Sequence, residues 1–196
     1  IEPFSLSFGP YRFSIMKQAN AGEIYSRILT YFVFILAFLS LALSVFAKEV
    51  IGIIASPEYL DAYRIIPLLC FGSIVGGTIY VFQTAIYLVK KTEYMFYVGI
   101  VTAASVVGLQ LILIPAFDMF GAALAGVLAG ALGCLATYIF SQRLHPIPYE
   151  LSRVFTVVAC AVLLYVLSLF VPAGDVVLRV CIKSVLVLSL PFLLGV

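Results

Sequence analysis

The stretch GLQLILIPAFDMFGAALAGVLAG, residues 108–130, decides how this chain is read. It lies in an apolar run from Tyr94 to Phe140 whose only charged residue is Asp118. A single helix of that length would run roughly 70 Å, more than twice the ~30 Å of hydrocarbon in a bilayer. Pro115 removes a backbone donor and disfavours helix at the residue before it. Together with the polar Asp118 it predicts a tight turn, and Gly121 then begins a new helix. The stretch therefore reads as a hairpin between two membrane crossings.

Composition supports a membrane setting. Hydrophobic residues make up 64% of the chain and charged residues 10%, against about 25% charged in an ordinary soluble domain. A net charge of +2 is too small to point to nucleic acid as a partner. The four cysteines, Cys70, Cys134, Cys160 and Cys181, lie apart in apolar stretches and read as packing residues. Ile1 is not a start residue and PFLLGV ends inside an apolar run, so the chain is read as a fragment of something longer.

Charge-free windows divide the rest. Residues 28–46, 65–89, 94–114, 119–140 and 154–174 carry no charge, and 176–196 carries only Arg179 and Lys183. Each approaches the ~20 residues that a crossing helix needs, and lipid leaves exposed backbone groups no partner except within a helix. The expected fold is all-α: a polytopic transmembrane bundle of about six helices spanning 28–196. Residues 1–27 read as the end of a preceding transmembrane helix, broken at Gly9-Pro10, running into a cytoplasmic amphipathic segment. Lys and Arg fall mainly in one set of loops (Arg12, Lys17, Arg27, Lys90, Lys91, Arg143, Arg153), which the positive-inside rule assigns to the cytoplasm. The Pro115 hairpin then faces outward. Val50, Ile51, Ile53 and Ile54 predict a short amphipathic helix on the outer surface, and Ser56-Pro57-Glu58 predicts a helix start before Tyr59.

Small residues recur at every fourth position as Ala122, Gly126, Gly130 and Cys134, with a second pair at Gly72 and Gly76. Such stripes let helix backbones approach closely in lipid. Their plain reading is bundle packing, and the sharper one is a sliding interface. Either way, a bulky residue at Gly126 or Gly130 is expected to force helices apart.

No catalytic or cofactor motif emerges, so the chain is read as a non-enzyme without a cofactor. His145 sits in a cytoplasmic loop, RLHPIPYE, with no partner at useful spacing. GSIVGG (72–77) lacks the Lys of a phosphate loop. Polar groups at membrane depth are the better leads. Tyr80, Gln83, Thr84 and Tyr87 fall three and four apart, hence on one helix face that would line a wet cavity or form an interfacial belt. Gln110 is similar but alone. Arg12 and Lys17 would sit at the cytoplasmic mouth, as anchors or as attractors of a diphosphate. Glu2 is the candidate for ion coupling. Arg179 and Lys183, four apart, would snorkel or contact a lipid head group.

The order of motifs is familiar. FGPYRF (8–13) followed by IYSRILTYFVF (24–34), IIASPEYLDAYRIIPLL (53–69), KKTEY (90–94) and LILIPAFDMFGAALAG (111–126) together resemble the C-terminal half of bacterial polysaccharide flippases. These are the O-antigen and capsule repeat-unit exporters of the multidrug/oligosaccharidyl-lipid/polysaccharide exporter superfamily. The resemblance covers essentially the whole chain. The chain departs from the pattern at Gln110, where members often carry Asn, and at Asp118, where a Gly usually sits. The resemblance implies most of one lobe of a two-lobe transporter of about fourteen helices in the bacterial inner membrane. Its cargo would be a polyprenyl-diphosphate-linked oligosaccharide, bound between this lobe and a missing N-terminal lobe. Arg12, Lys17, Tyr80, Gln83 and Tyr87 would be the binding residues. The alternatives are a cation-coupled drug exporter of the same superfamily and a membrane enzyme of polysaccharide assembly.

Overall fold

The computed structural model describes residues 2–18, 20–54, 63–170, 187 and 189–190. Every regular element among them is helical: α1 (Glu2–Ile15), α2 (Ala21–Val45), α3 (Ala47–Ile54), α4 (Ile66–Leu88), α5 (Glu93–Leu144) and α6 (Leu151–Leu169). Four of these, α2, α4, α5 and α6, are long and apolar enough to cross a membrane. The predicted helix start at Ser56-Pro57-Glu58 and nearly all of 176–196 lie outside the described residues.

The apolar run 94–140 lies within one helix by hydrogen bonding and two by geometry. Straight, α5 would hold Tyr94 and Phe140 roughly 70 Å apart. Their rings instead lie 5.3 Å apart between centroids. The backbone turns back at Asp118, whose φ of 48° and ψ of −126° are far from helical. Side chains rarely adopt that region, which belongs to the first central position of a type II′ turn and favours Gly. A first arm (93–117) then lies antiparallel to a second (119–144). Three contacts step outward from Phe117: Gly121 on the Leu113 carbonyl, Gly133 on Thr102, and Tyr94 on Phe140. A Cβ at Gly121 would overlap the Leu113 carbonyl, and one at Gly133 would overlap the Thr102 hydroxyl.

The close-packed stripe is therefore not the predicted one. The buried positions of the second arm are Gly121, Ala123, Ala125, Ala129, Gly133, Thr137 and Ser141. Gly126 is exposed, and a Cβ there would meet open space; one at Gly130 would reach only Val75 Cγ1 at 4.0 Å. Six small residues at four-residue spacing from Gly121 to Ser141 make a longer stripe than Ala122 to Cys134 does. That greater length was the better signal.

Two compact units share the chain: 1–32 with 75–151, and 33–74 with 152–196. In the second, Ser40 Oγ of α2 donates to the Cys70 carbonyl of α4 at 2.8 Å, and Phe71 of α4 meets Tyr165 of α6 edge-on at 6.0 Å. Val157, Ala161, Leu164 and Ser168 form the buried face of α6. Three threonine hydroxyls within the apolar helices are satisfied locally, Thr30 on Ser26, Thr102 on Val98 and Thr137 on Gly133. Donation to the carbonyl four residues back is the economical solution where water is absent.

In the first unit, α1 does not break at Gly9-Pro10. It runs as one helix through Pro10, although Pro removes one bond of the ladder. Phe8 and Ile15, seven apart and so on one stripe, flank the proline. Both are buried in one cluster with Tyr25, Ala85 and Ile147. The Tyr25 hydroxyl also donates to the Arg12 carbonyl at 2.6 Å. Packing on both sides of the weak point holds the axis that the local sequence would interrupt.

Candidate functional site

The candidate site gathers at the ends of four elements of the first unit: the C-terminal halves of α1 and α4, the start of α2, and the segment 145–150. α4 closes with a two-bond cap. Lys90 N–H donates to the Tyr87 carbonyl at 3.1 Å and Lys91 N–H to the Ile86 carbonyl at 3.3 Å, with Lys90 at φ 58°. This is a Schellman motif with Lys in the left-handed position that Gly usually takes. It fixes the last turn of α4, and with it Tyr87.

Arg12 lies over the ring of that tyrosine. Its guanidinium carbon is 3.9 Å from the Tyr87 ring centroid and 5.4 Å from that of Phe13. Its Nε donates to the Gly9 carbonyl at 3.1 Å. A cation over an aromatic face is worth about 1 kcal/mol where partly exposed. Partial burial pulls the Arg12 pKa below its ordinary value, while Tyr87 and Tyr25 push it back up. An arginine so placed stays charged. No ion pair joins Arg12 to a carboxylate among the described residues. One nitrogen is held by the backbone, and the guanidinium carbon sits over the ring.

The structure thus brings together two of the five predicted binding residues, Arg12 and Tyr87. Lys17 is exposed in the turn after α1, and no described contact ties it to the pair. Tyr80 is exposed and Gln83 half-buried on α4, two turns and one turn before Tyr87 respectively. Thr84, expected on the same polar face, is instead fully buried beside Val81, Ala85 and Ile86, and its Oγ1 has no partner among the described residues. The wet face read from spacing is therefore interrupted. Gln110 lies elsewhere. It lines a cleft of about 280 Å³ with Val107, Leu111, Ile114 and Pro115, all on the first arm of α5. Glu2 begins α1, but its side chain is outside the described residues, as are Arg179 and Lys183.

Sequence reasoning missed the segment that packs under the site. His145 is an exposed residue of it, but the work falls to its neighbours. Ile147 is buried, and its carbonyl accepts from Gln142 Nε2 at 2.8 Å. The Tyr149 hydroxyl donates to the Val81 carbonyl at 3.3 Å, and its ring meets Phe82 at 5.0 Å. Glu150 N–H donates to Ser26 Oγ at 3.0 Å. Pro148 sits so near Gly22 that a Cβ there would lie 3.1 Å from its ring. Burial pushes the Tyr149 hydroxyl well above its ordinary pKa, so it remains a donor. Tyr25 was missed as well. The only hint in the sequence was an aromatic residue near the start of a membrane-length helix.

No protein-family model matches the chain, and neither does any curated protein or solved structure. Cys70, Cys134 and Cys160 are free thiols, and the described residues hold no group of three His, Cys, Asp or Glu side chains that could share a metal.

Proposed function

We propose that this chain is most of one lobe of a bacterial inner-membrane exporter. Its cargo would be a polyprenyl-diphosphate-linked oligosaccharide, moved outward by alternating access for surface polysaccharide assembly. The reading takes the chain as a transporter rather than an enzyme. The observation that carries it is Arg12: a guanidinium without a carboxylate partner among the described residues, held over the Tyr87 ring. An arginine in that state offers its free N–H groups to phosphate oxygens as a charge-assisted fork. Tyr80 offers a ring face and Gln83 an amide to sugar hydroxyls, on the same helix and within two turns. The order of the four sequence motifs supports the same class. Rocking of one lobe against another about a central site is the transport mode that fits it.

The test is surface glycan in a strain lacking its own flippase, complemented by variants of the intact protein. Arg12→Ala should lower export at unchanged membrane abundance. Arg12→Lys should recover part of it, because the charge returns without the planar fork. Full complementation by both Arg12→Ala and Gln83→Ala would overturn the assignment.

A further inference from the structure

α3 lies between the end of one membrane-length helix, α2, and the start of the next, α4, so it sits at a boundary of the bilayer. Its hydrogen bonding nearly continues that of α2, since Val50 N–H donates to the Phe46 carbonyl at 2.9 Å. Ala47 is buried against the protein, whereas Val50, Ile53 and Ile54 are not. Those three share a face at spacings of three and four. Ile53 is 85% exposed and Ile54 79%, so two adjacent apolar side chains are left uncovered by the protein.

Charge is arranged around the same helix. Lys48 Nζ lies 5.7 Å from the centroid of the Tyr63 ring, and the Arg64 guanidinium carbon 5.8 Å from it. Both cations are exposed, while Glu49 Oε2 is buried. Two positive groups thus flank the half-buried Tyr63.

We propose that α3 with Tyr63 and Arg64 is a docking site for anionic phospholipid. Val50, Ile53 and Ile54 enter the acyl region, and Lys48 and Arg64 hold the head-group phosphates. Charge complementarity selects the lipid, and the position of α3 at the end of two crossings puts it within reach. An apolar face alone would take any lipid; the two cations make the choice. The site uses no residue of the proposed transport path, so it stands or falls separately from that assignment.

The chain contains no tryptophan, so Ile53→Trp supplies a fluorescent reporter on α3. The protein is reconstituted into vesicles of one fixed mixture of phosphatidylglycerol and phosphatidylcholine. Bromine is carried on the acyl chains of one lipid or of the other. A cation near an anionic surface enriches it about fivefold at low salt, so brominated phosphatidylglycerol should quench roughly twofold or more better than brominated phosphatidylcholine. Lys48→Gln should shrink that preference, and Lys48→Gln with Arg64→Gln should abolish it while total quenching persists. Equal quenching by both lipids before any charge is removed would overturn the proposal. So would quenching by neither lipid, or a preference that survives the double substitution.

Discussion

The first arm of α5 leaves Phe96, Leu111 and Ile112 about 70% exposed and buries only Val98. The second arm, joined to it by a single turn, buries seven residues, every one of them Gly, Ala, Thr or Ser. Both arms are apolar throughout, and hydropathy does not distinguish them. What differs is the volume of the side chains at four-residue spacing. In lipid there is no hydrophobic force between helices, because acyl chains solvate Leu as well as another helix does. Close backbone approach then decides which surface is protein-facing, and only small residues permit it. The first arm carries bulk on the faces left to its surroundings. The second carries a stripe one backbone can rest against.

This contrast can be broken at its tightest point first. Gly121→Leu puts a branched side chain into the Leu113 carbonyl, which backbone cannot yield. The hairpin should open, with a loss of about 3 kcal/mol or more, read as loss of a monodisperse peak in detergent. A normal peak and melting temperature would show that the arms do not touch there.

Gly133→Ala tests the other end of the stripe against a side chain. Its Cβ meets the Thr102 hydroxyl, so we expect a loss of about 1–2 kcal/mol. Thr102→Ala removes the obstructing atoms, and the pair should recover most of the loss in a double-mutant cycle. Additive losses would separate the two residues.

Asp118→Gly acts on the joint between the arms. At φ 48° and ψ −126° an Asp carries strain that Gly does not, and relief should stabilise by about 1 kcal/mol. Thermal unfolding of the intact protein in detergent checks the sign. A loss would mean that the Asp118 side chain holds the turn.

The smallest effect is the sharpest control. Gly126→Ala should carry no packing cost, since nothing lies within 4 Å of its Cβ position, and should gain only about 0.5 kcal/mol from helix propensity. A cost comparable to that of Gly133→Ala would move the interface to the neighbouring stripe and erase the difference between the arms.

By itself the sequence determined the membrane class, the fold-back near Pro115 and Asp118, and the short exposed helix α3. These depend on one segment at a time, on its hydropathy, its length against the bilayer and its breakers. Partition into lipid needs no knowledge of neighbours. The rest was decided only in three dimensions. Rotating the second arm by one residue exchanges Gly126 for Ala125 at the buried face, and both stripes look small in the sequence. Arg12 and Tyr87 are far apart in the chain, and no local spacing predicts a guanidinium on that ring. The helix through Pro10 stands because Phe8 and Ile15 are buried on either side of it, although the dipeptide Gly9-Pro10 reads as a break. The segment from Ile147 to Glu150 is short, polar at its edges and unremarkable until Val81, Phe82 and Ser26 are found around it. In each case the outcome depends on the shape of a partner surface, and within lipid shape, rather than hydrophobicity, sets how helices face one another.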